Sequence, residues 1–274
     1  MTEALPVLAM LVAVAAGYGT SVRLVWRRRG RRVVRSSRVA CFALGLLVLA
    51  GALTGPLDDA ADERLSLHMV QHTLLVLVAA PLLVLGTPVT VLVLALSAEQ
   101  RRRTTTPVLR SQVVRFVLSA PFALATFLLV LCCTHLPAIY DAAVENQGLH
   151  DLEHLAYLLS AVLFWISVLG TDLGPARLGY PARLLYLFLA MAAMALIGVV
   201  LSMGRHPLYG HYVDAARESG YSAMADQHTG GVIMWLAGVV TVIPAMAAVV
   251  LAWLAEDERR TVSFEQRQRL HHVS

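Results

Sequence analysis

Lysine is absent from this chain, so its positive charge rests on arginine and its orientation in any membrane must be read from arginine alone. Charge of either sign is scarce at 15% of residues, far below a soluble domain, which excludes an ordinary water-facing fold. Only three cysteines occur, Cys41, Cys132 and Cys133, too few for a disulfide framework. No glycine loop that would cradle phosphate is found, and no serine nucleophile elbow. The alternating polar pattern of a membrane β-barrel is missing. So are a Cys-x-x-Cys-His haem attachment and any pair of carboxylates within an apolar run that would suggest a proton pump.

Present instead are long apolar runs, and 58% of the 274 residues are hydrophobic. Seven runs, roughly 4–26, 39–57, 67–87, 116–135, 150–170, 184–204 and 228–253, each reach the roughly 20 residues that span a bilayer. Residues 88–96 extend the third run beyond Pro88, as a kinked continuation or an interfacial piece. Backbone in lipid must satisfy itself, so these runs are helices. The expected fold is all-α: a polytopic membrane bundle of about seven helices in one domain, 1–255, with a short tail, 256–274. The segments 27–38, 97–115, 171–183 and 254–274 hold 18 of the 22 arginines, which puts those ends in the cytoplasm and the amino terminus outside. The first run has Arg27, Arg28 and Arg29 after its apolar core rather than before it, the reverse of a signal peptide. The arginine runs lack interleaved aromatics and read as topology signals beside anionic lipid, with no nucleic-acid partner. The tail alternates charge as a surface helix does. Pro81, Pro88 and Pro121 are candidates for helix kinks, Trp165 and Trp235 for packing, and Gly45, Gly51, Gly198, Gly230, Gly231 and Gly238 for close helix approach.

Histidine is distributed unevenly. Eight of ten (His68, His72, His135, His150, His154, His206, His211 and His228) fall at the outer ends of the runs, while His271 and His272 lie in the tail. His68 and His72 stand four apart in LHMVQHTLLVLV, and His150 and His154 repeat that spacing in LHDLEHLAYLL. Four residues make one helical turn, so each pair offers two imidazoles from one face. Neither pair has glutamate directly after its first histidine, as a helix-borne zinc protease requires. Asp151 and Glu153 flank the second pair, and Asp151, three before His154, is placed to orient an imidazole. His135 follows Cys132 by three residues; the adjacent Cys132 and Cys133 point to different faces and read as small buried hydrophobes. Met69, Met203 and Met224 share the layer. Imidazole with thioether suits copper; imidazole with carboxylate suits zinc equally.

The stretches HMVQHTLLVLVAAPLLVLGTP, THLPAIYDAA, HDLEHLAYLLSAVLFW and ADQHTGGVIMW together resemble the multi-spanning CtaG family of bacterial cytochrome c oxidase assembly factors, over about residues 40–255. The resemblance implies a factor that matures a haem–copper oxidase in the bacterial plasma membrane by supplying copper, with oxidase subunits and an extracytoplasmic copper donor as partners. It matches His68 and His72 to the family's first histidine pair and His150 and His154 to its second. His135 and Asp141, with Pro137 and Tyr140, match its central stretch, and Asp226 with Gln227 match the start of the last helix. His228 departs from the pattern, where a glutamine is common, and the vicinal cysteines are not part of it.

The expected metal ligands are therefore His68, His72, His135, His150 and His154. Met69, Asp141, Asp151, Met203, His206, His211, Asp226 and His228 are further or supporting candidates. Two other functions fit a histidine layer: an intramembrane zinc hydrolase using Asp141 or Asp226, and a cytochrome with axial histidines.

Overall fold

The computed structural model describes residues 4–170 and 178–273, with side chains through Ser263 and at Gln268. Arg177 of the expected basic loop, and the side chains of Arg267, Arg269, His271 and His272, lie outside the described residues.

The chain is a helical, multi-pass membrane protein. Helices α1 (Ala4–Arg29) and α2 (Ser36–Leu53) come first, then short α3 (Pro56–Glu63). The third apolar run forms α4 (Leu65–Thr73), a π-helical stretch (Leu74–Ala79), α5 (Ala80–Leu85) and α6 (Pro88–Ala95). A surface segment follows as α7 (Ala98–Gln100), a second π-helical turn (Arg101–Thr105), α8 (Thr106–Arg110) and α9 (Gln112–Val117). Then come α10 (Ala120–Thr134), α11 (Pro137–Val144), α12 (Gln147–Leu169), α13 (Tyr180–Met203), α14 (Gly210–Ser219) and α15 (Ala223–Val273). Six of these stretches are long and apolar enough to cross a bilayer, or seven when α10 and α11, bent by 79°, count as one span.

The proline expectations divide. Residues 88–96 are a continuation: α6 prolongs the third span to 31 residues after a break at Thr87, whose φ of 48° lies in the left-handed region. Pro88 opens α6, and Pro121 is the second residue of α10 and does not kink it, since the first turn of a helix needs no backbone N–H there. Pro81 sits at the start of α5, where the π-helical stretch ends. The tail is not a separate surface helix; α15 runs on from the last span through Pro244 to Val273.

The segment α4–α5 stands at the centre. Leu75 and Ala79 face α1, α2 and α6, while Val76, Leu77 and Ala80 face α10, α12, α13 and α15, so one helix serves two cores. A π-helical turn leaves a carbonyl out of register, and the Trp165 indole of α12 donates to the Val76 carbonyl at 2.9 Å. Trp165 is thus more than packing. Close approach of α13 and α15 rests on Gly198 and Gly231: a Cβ on Gly198 would meet the Gly231 carbonyl oxygen at 2.7 Å, and one on Gly231 would meet the Gly198 oxygen at 2.6 Å. Gly51, by contrast, has nothing within 4 Å and mediates no such contact.

Candidate metal centre

The starts of α4 and α12 meet at one end of the bundle, and the two His-x-x-x-His pairs face each other there. His68 is fully buried and His72, His150 and His154 nearly so. Ring centroids lie 4.2 Å apart within the first pair and 4.3 Å within the second; across the pairs, His68 and His150 are at 5.2 Å and His72 and His154 at 5.3 Å. Ligand atoms of His68, His150 and His154 fall within 4.8 Å of one another, as do those of His68, His72 and Glu153.

Tyr212 sets the direction of His68. Its hydroxyl donates to the Ala61 carbonyl at 2.9 Å, so it accepts from His68 Nδ1 at 3.1 Å. That bond assigns the hydrogen to Nδ1 and leaves Nε2 with a lone pair, the arrangement in which a metal-binding imidazole is normally held. His72 Nε2 lies 3.0 Å from that lone pair. Of the buried side-chain nitrogen and oxygen atoms without a hydrogen-bond partner among the described residues, all but Gln71 Oε1 and Tyr186 Oη belong to His72, His135, His150, Glu153 and His154. Orphaned buried polar atoms are rare and costly, and those of His150, His154 and Glu153 belong to the two groups that share His68. A cation there would satisfy them, and three imidazoles, or two with a carboxylate, fit a transition metal. The rings touch one another, which leaves no gap for a porphyrin between opposed imidazoles.

The carboxylate of this group is Glu153. Asp151 points away, exposed, and accepts from Gln147 at 3.0 Å. Helical phase explains the difference: His150, Glu153, His154 and Tyr157 recur at i, i+3, i+4 and i+7 on one face, all four buried, while Asp151 is rotated off it. That spacing is legible in LHDLEHLAY.

His135 ends α10 beside this face; its Nδ1 lies 2.8 Å from the Leu131 carbonyl and 3.3 Å from the Tyr157 hydroxyl. The other candidates are scaffold. Asp226 accepts from Ser66, at 2.5 Å from Oγ and 3.3 Å from the backbone N–H, and so caps α4 two residues before His68. Asp141 accepts from the Gly210 N–H at 3.1 Å and from that of His211 at 3.5 Å, joining α11 to the start of α14. His211 donates to the Asp62 carbonyl at 2.8 Å and His228 to the Gly204 carbonyl at 3.0 Å. His206 and Met203 are exposed, Met203 at 75%, and stand away from the group. Cys132 is exposed on α10 and Cys133 half-buried, so the expectation of two buried hydrophobes does not hold.

Several supports bond partners distant along the chain, which the sequence does not reveal. Tyr212 is one. Gln71 donates to Ala52 and Asp58, at 2.8 and 2.7 Å, and Gln227 accepts from the Leu208 N–H at 2.7 Å.

A family model for the cytochrome c oxidase caa3 assembly factor matches residues 16–256. The chain belongs to this family, Caa3_CtaG. Assembly factors of this kind are not catalytic enzymes, which sets the hydrolase aside. Among curated proteins the chain is 28% identical over 260 residues to an uncharacterized protein of Mycobacterium leprae (strain TN), covering 91% of this chain and 39% of that protein. Uncharacterized proteins of Mycobacterium bovis (strain ATCC BAA-935 / AF2122/97) and Mycobacterium tuberculosis (strain CDC 1551 / Oshkosh) are each 28% identical over 263 residues, covering 93% of this chain and 39% of theirs. The chain spans about two fifths of the length of these relatives. No solved structure matches it.

Proposed function

We propose that this Caa3_CtaG protein holds copper at the outer face of a bacterial plasma membrane and presents it to a haem–copper cytochrome c oxidase during assembly. The observation that carries the reading is the convergence of buried imidazoles from α4 and α12 with the Glu153 carboxylate, where His150, His154 and Glu153 have atoms without a hydrogen-bond partner. Family membership supplies the client, and copper as cargo follows from the client's own metal content. His68, oriented by Tyr212, His150 and His154 are the principal ligands; Glu153 and His72 complete the shell. An extracytoplasmic donor would load the site, and ligand exchange would pass the ion on. A shell of this kind, open to several coordination numbers, suits transfer better than a closed tetrahedral zinc site.

The test is bound metal. The full chain purified in mild detergent from copper-replete cells is expected to carry near-stoichiometric copper by mass spectrometry. A His68→Ala/His72→Ala/His154→Ala variant is expected to lose the copper of the imidazole group, and cells with it should make an oxidase poor in copper. Zinc in copper's place, or wild-type oxidase copper in cells with the variant, would overturn the reading.

A further inference from the structure

Beside the imidazole group, further along α4 and α15, lies a small cavity of about 20 Å³, lined among others by Met69, His72, His135, Tyr157, Met194 and Met234. Methionines often fill gaps in a core, but two features set this cavity apart. His135 Nδ1 is 2.8 Å from the Leu131 carbonyl, and a carbonyl can only accept, so Nδ1 carries the hydrogen and Nε2 a lone pair. That Nε2 is buried and has no hydrogen-bond partner. Likewise, the hydrogen His72 shares with the His68 lone pair sits on its Nε2, which leaves Nδ1 bare, and His72 Nδ1 too is buried without a partner. Two histidines, each with a buried acceptor nitrogen that has no donor, therefore line the same small space as three methionines.

We propose that this cavity is a second metal position, selective for monovalent copper and distinct from the imidazole and Glu153 group. The assignment rests on the copper reading above and extends it. Its size admits about one water-sized particle, so an ion there must shed its hydration shell and take its ligands from the walls. A divalent ion that retains water does not fit. Soft thioethers with neutral imidazole are the donors that favour the cuprous ion. His72 stands between the positions and, as a neutral ring, has one lone pair to offer, so it serves one ion at a time. This gives the protein a second place to hold cargo while the outer group is loaded or emptied.

The experiment uses the full chain in detergent, its methionines replaced by selenomethionine, loaded anaerobically with cuprous ion and read by copper X-ray absorption; silver(I) serves as a redox-inert competitor. Wild type should bind two equivalents and show copper–selenium scattering. Met69→Leu/Met194→Leu/Met234→Leu, which conserves volume, should lose the selenium shell and one equivalent while keeping nitrogen-only copper and its thermal midpoint. His150→Ala/His154→Ala should do the reverse and keep the selenium shell. Nitrogen-only scattering in wild type would overturn the cavity site. So would selenium scattering that survives the triple leucine variant, or loss of both equivalents in that variant at an unchanged midpoint. A selenium shell with no nitrogen-only equivalent would uphold the cavity and instead sink the imidazole group as a copper site.

Discussion

A carboxylate buried among apolar helices with no donor beside it is destabilising unless a cation offsets it. Glu153 is such a group: 6% exposed, both oxygens unpartnered, and within ligand distance of His68 and His72. Glu153→Gln should therefore raise the stability of the metal-free protein by about 1–3 kcal/mol. The same change should weaken copper binding by roughly 10–100-fold, so that added copper shifts the thermal midpoint less than in wild type. A residue there only for packing would lower stability and leave the copper-induced shift intact. Asp58 makes a second residue-scale prediction. Burial, reinforced by Asp62, Asp59 and Asp151 and opposed by the Gln71 hydrogen bond, lifts its carboxyl from 3.8 to about 6. The folded protein thus holds this proton more tightly than the unfolded chain. Stability from this group is full below about 4, declines as pH rises to about 6, and is level above that. Asp58→Asn should flatten that slope, which thermal unfolding in detergent at about pH 4.5 and about pH 7 would show.

Among the helices, the closest contact is also the most exposed to mutation. At Gly198 and Gly231 each backbone lies where the other's Cβ would be, at 2.7 and 2.6 Å, and the obstacle is backbone that cannot rotate away. Gly198→Ala or Gly231→Ala should separate α13 from α15 and cost about 1–3 kcal/mol or more, read as a lower thermal midpoint. Gly51→Ala, with nothing nearby, should be tolerated. The glycine list in the sequence could not separate these cases, because close approach depends on which helices meet. The apolar runs themselves were legible, since a span needs only length and hydropathy. The π-helical stretch at Leu74–Ala79 was not: LLVLVA reads as ordinary helix, and the indole that bonds its carbonyl lies 89 residues away. The two histidine pairs were legible because four-residue spacing is a local property. Choosing Glu153 over Asp151 was also within reach of helical phase. Assigning Asp141 and Asp226 to scaffold was not, as each bonds a partner 69 or 160 residues distant.

Across the whole molecule, chemistry divides between two ends. The histidine group sits at the beginning of the 31-residue span Leu65–Ala95, and arginines bind its other end, with Arg28 donating to the Ala95 carbonyl at 3.0 Å and Arg38 to the Thr87 hydroxyl at 3.4 Å. By helical rise those ends are on the order of 40 Å apart, enough to place them on opposite sides of a bilayer. Arginine retained in the cytoplasm would put the histidine group outside, as the proposed function requires, where an extracytoplasmic donor and the copper centres of an oxidase would meet it. Replacing Cys41, Cys132 and Cys133 with serine clears the background for a labelling test. On that background, Ser219→Cys on exposed α14, at the histidine end, should react with a membrane-impermeant maleimide in intact cells, and Ser37→Cys, at the arginine end, only after lysis. The reverse pattern would put the imidazole group in the cytoplasm. Copper would then have to be loaded from inside, and an outer-face handover would no longer account for a metal group placed at this end of the bundle.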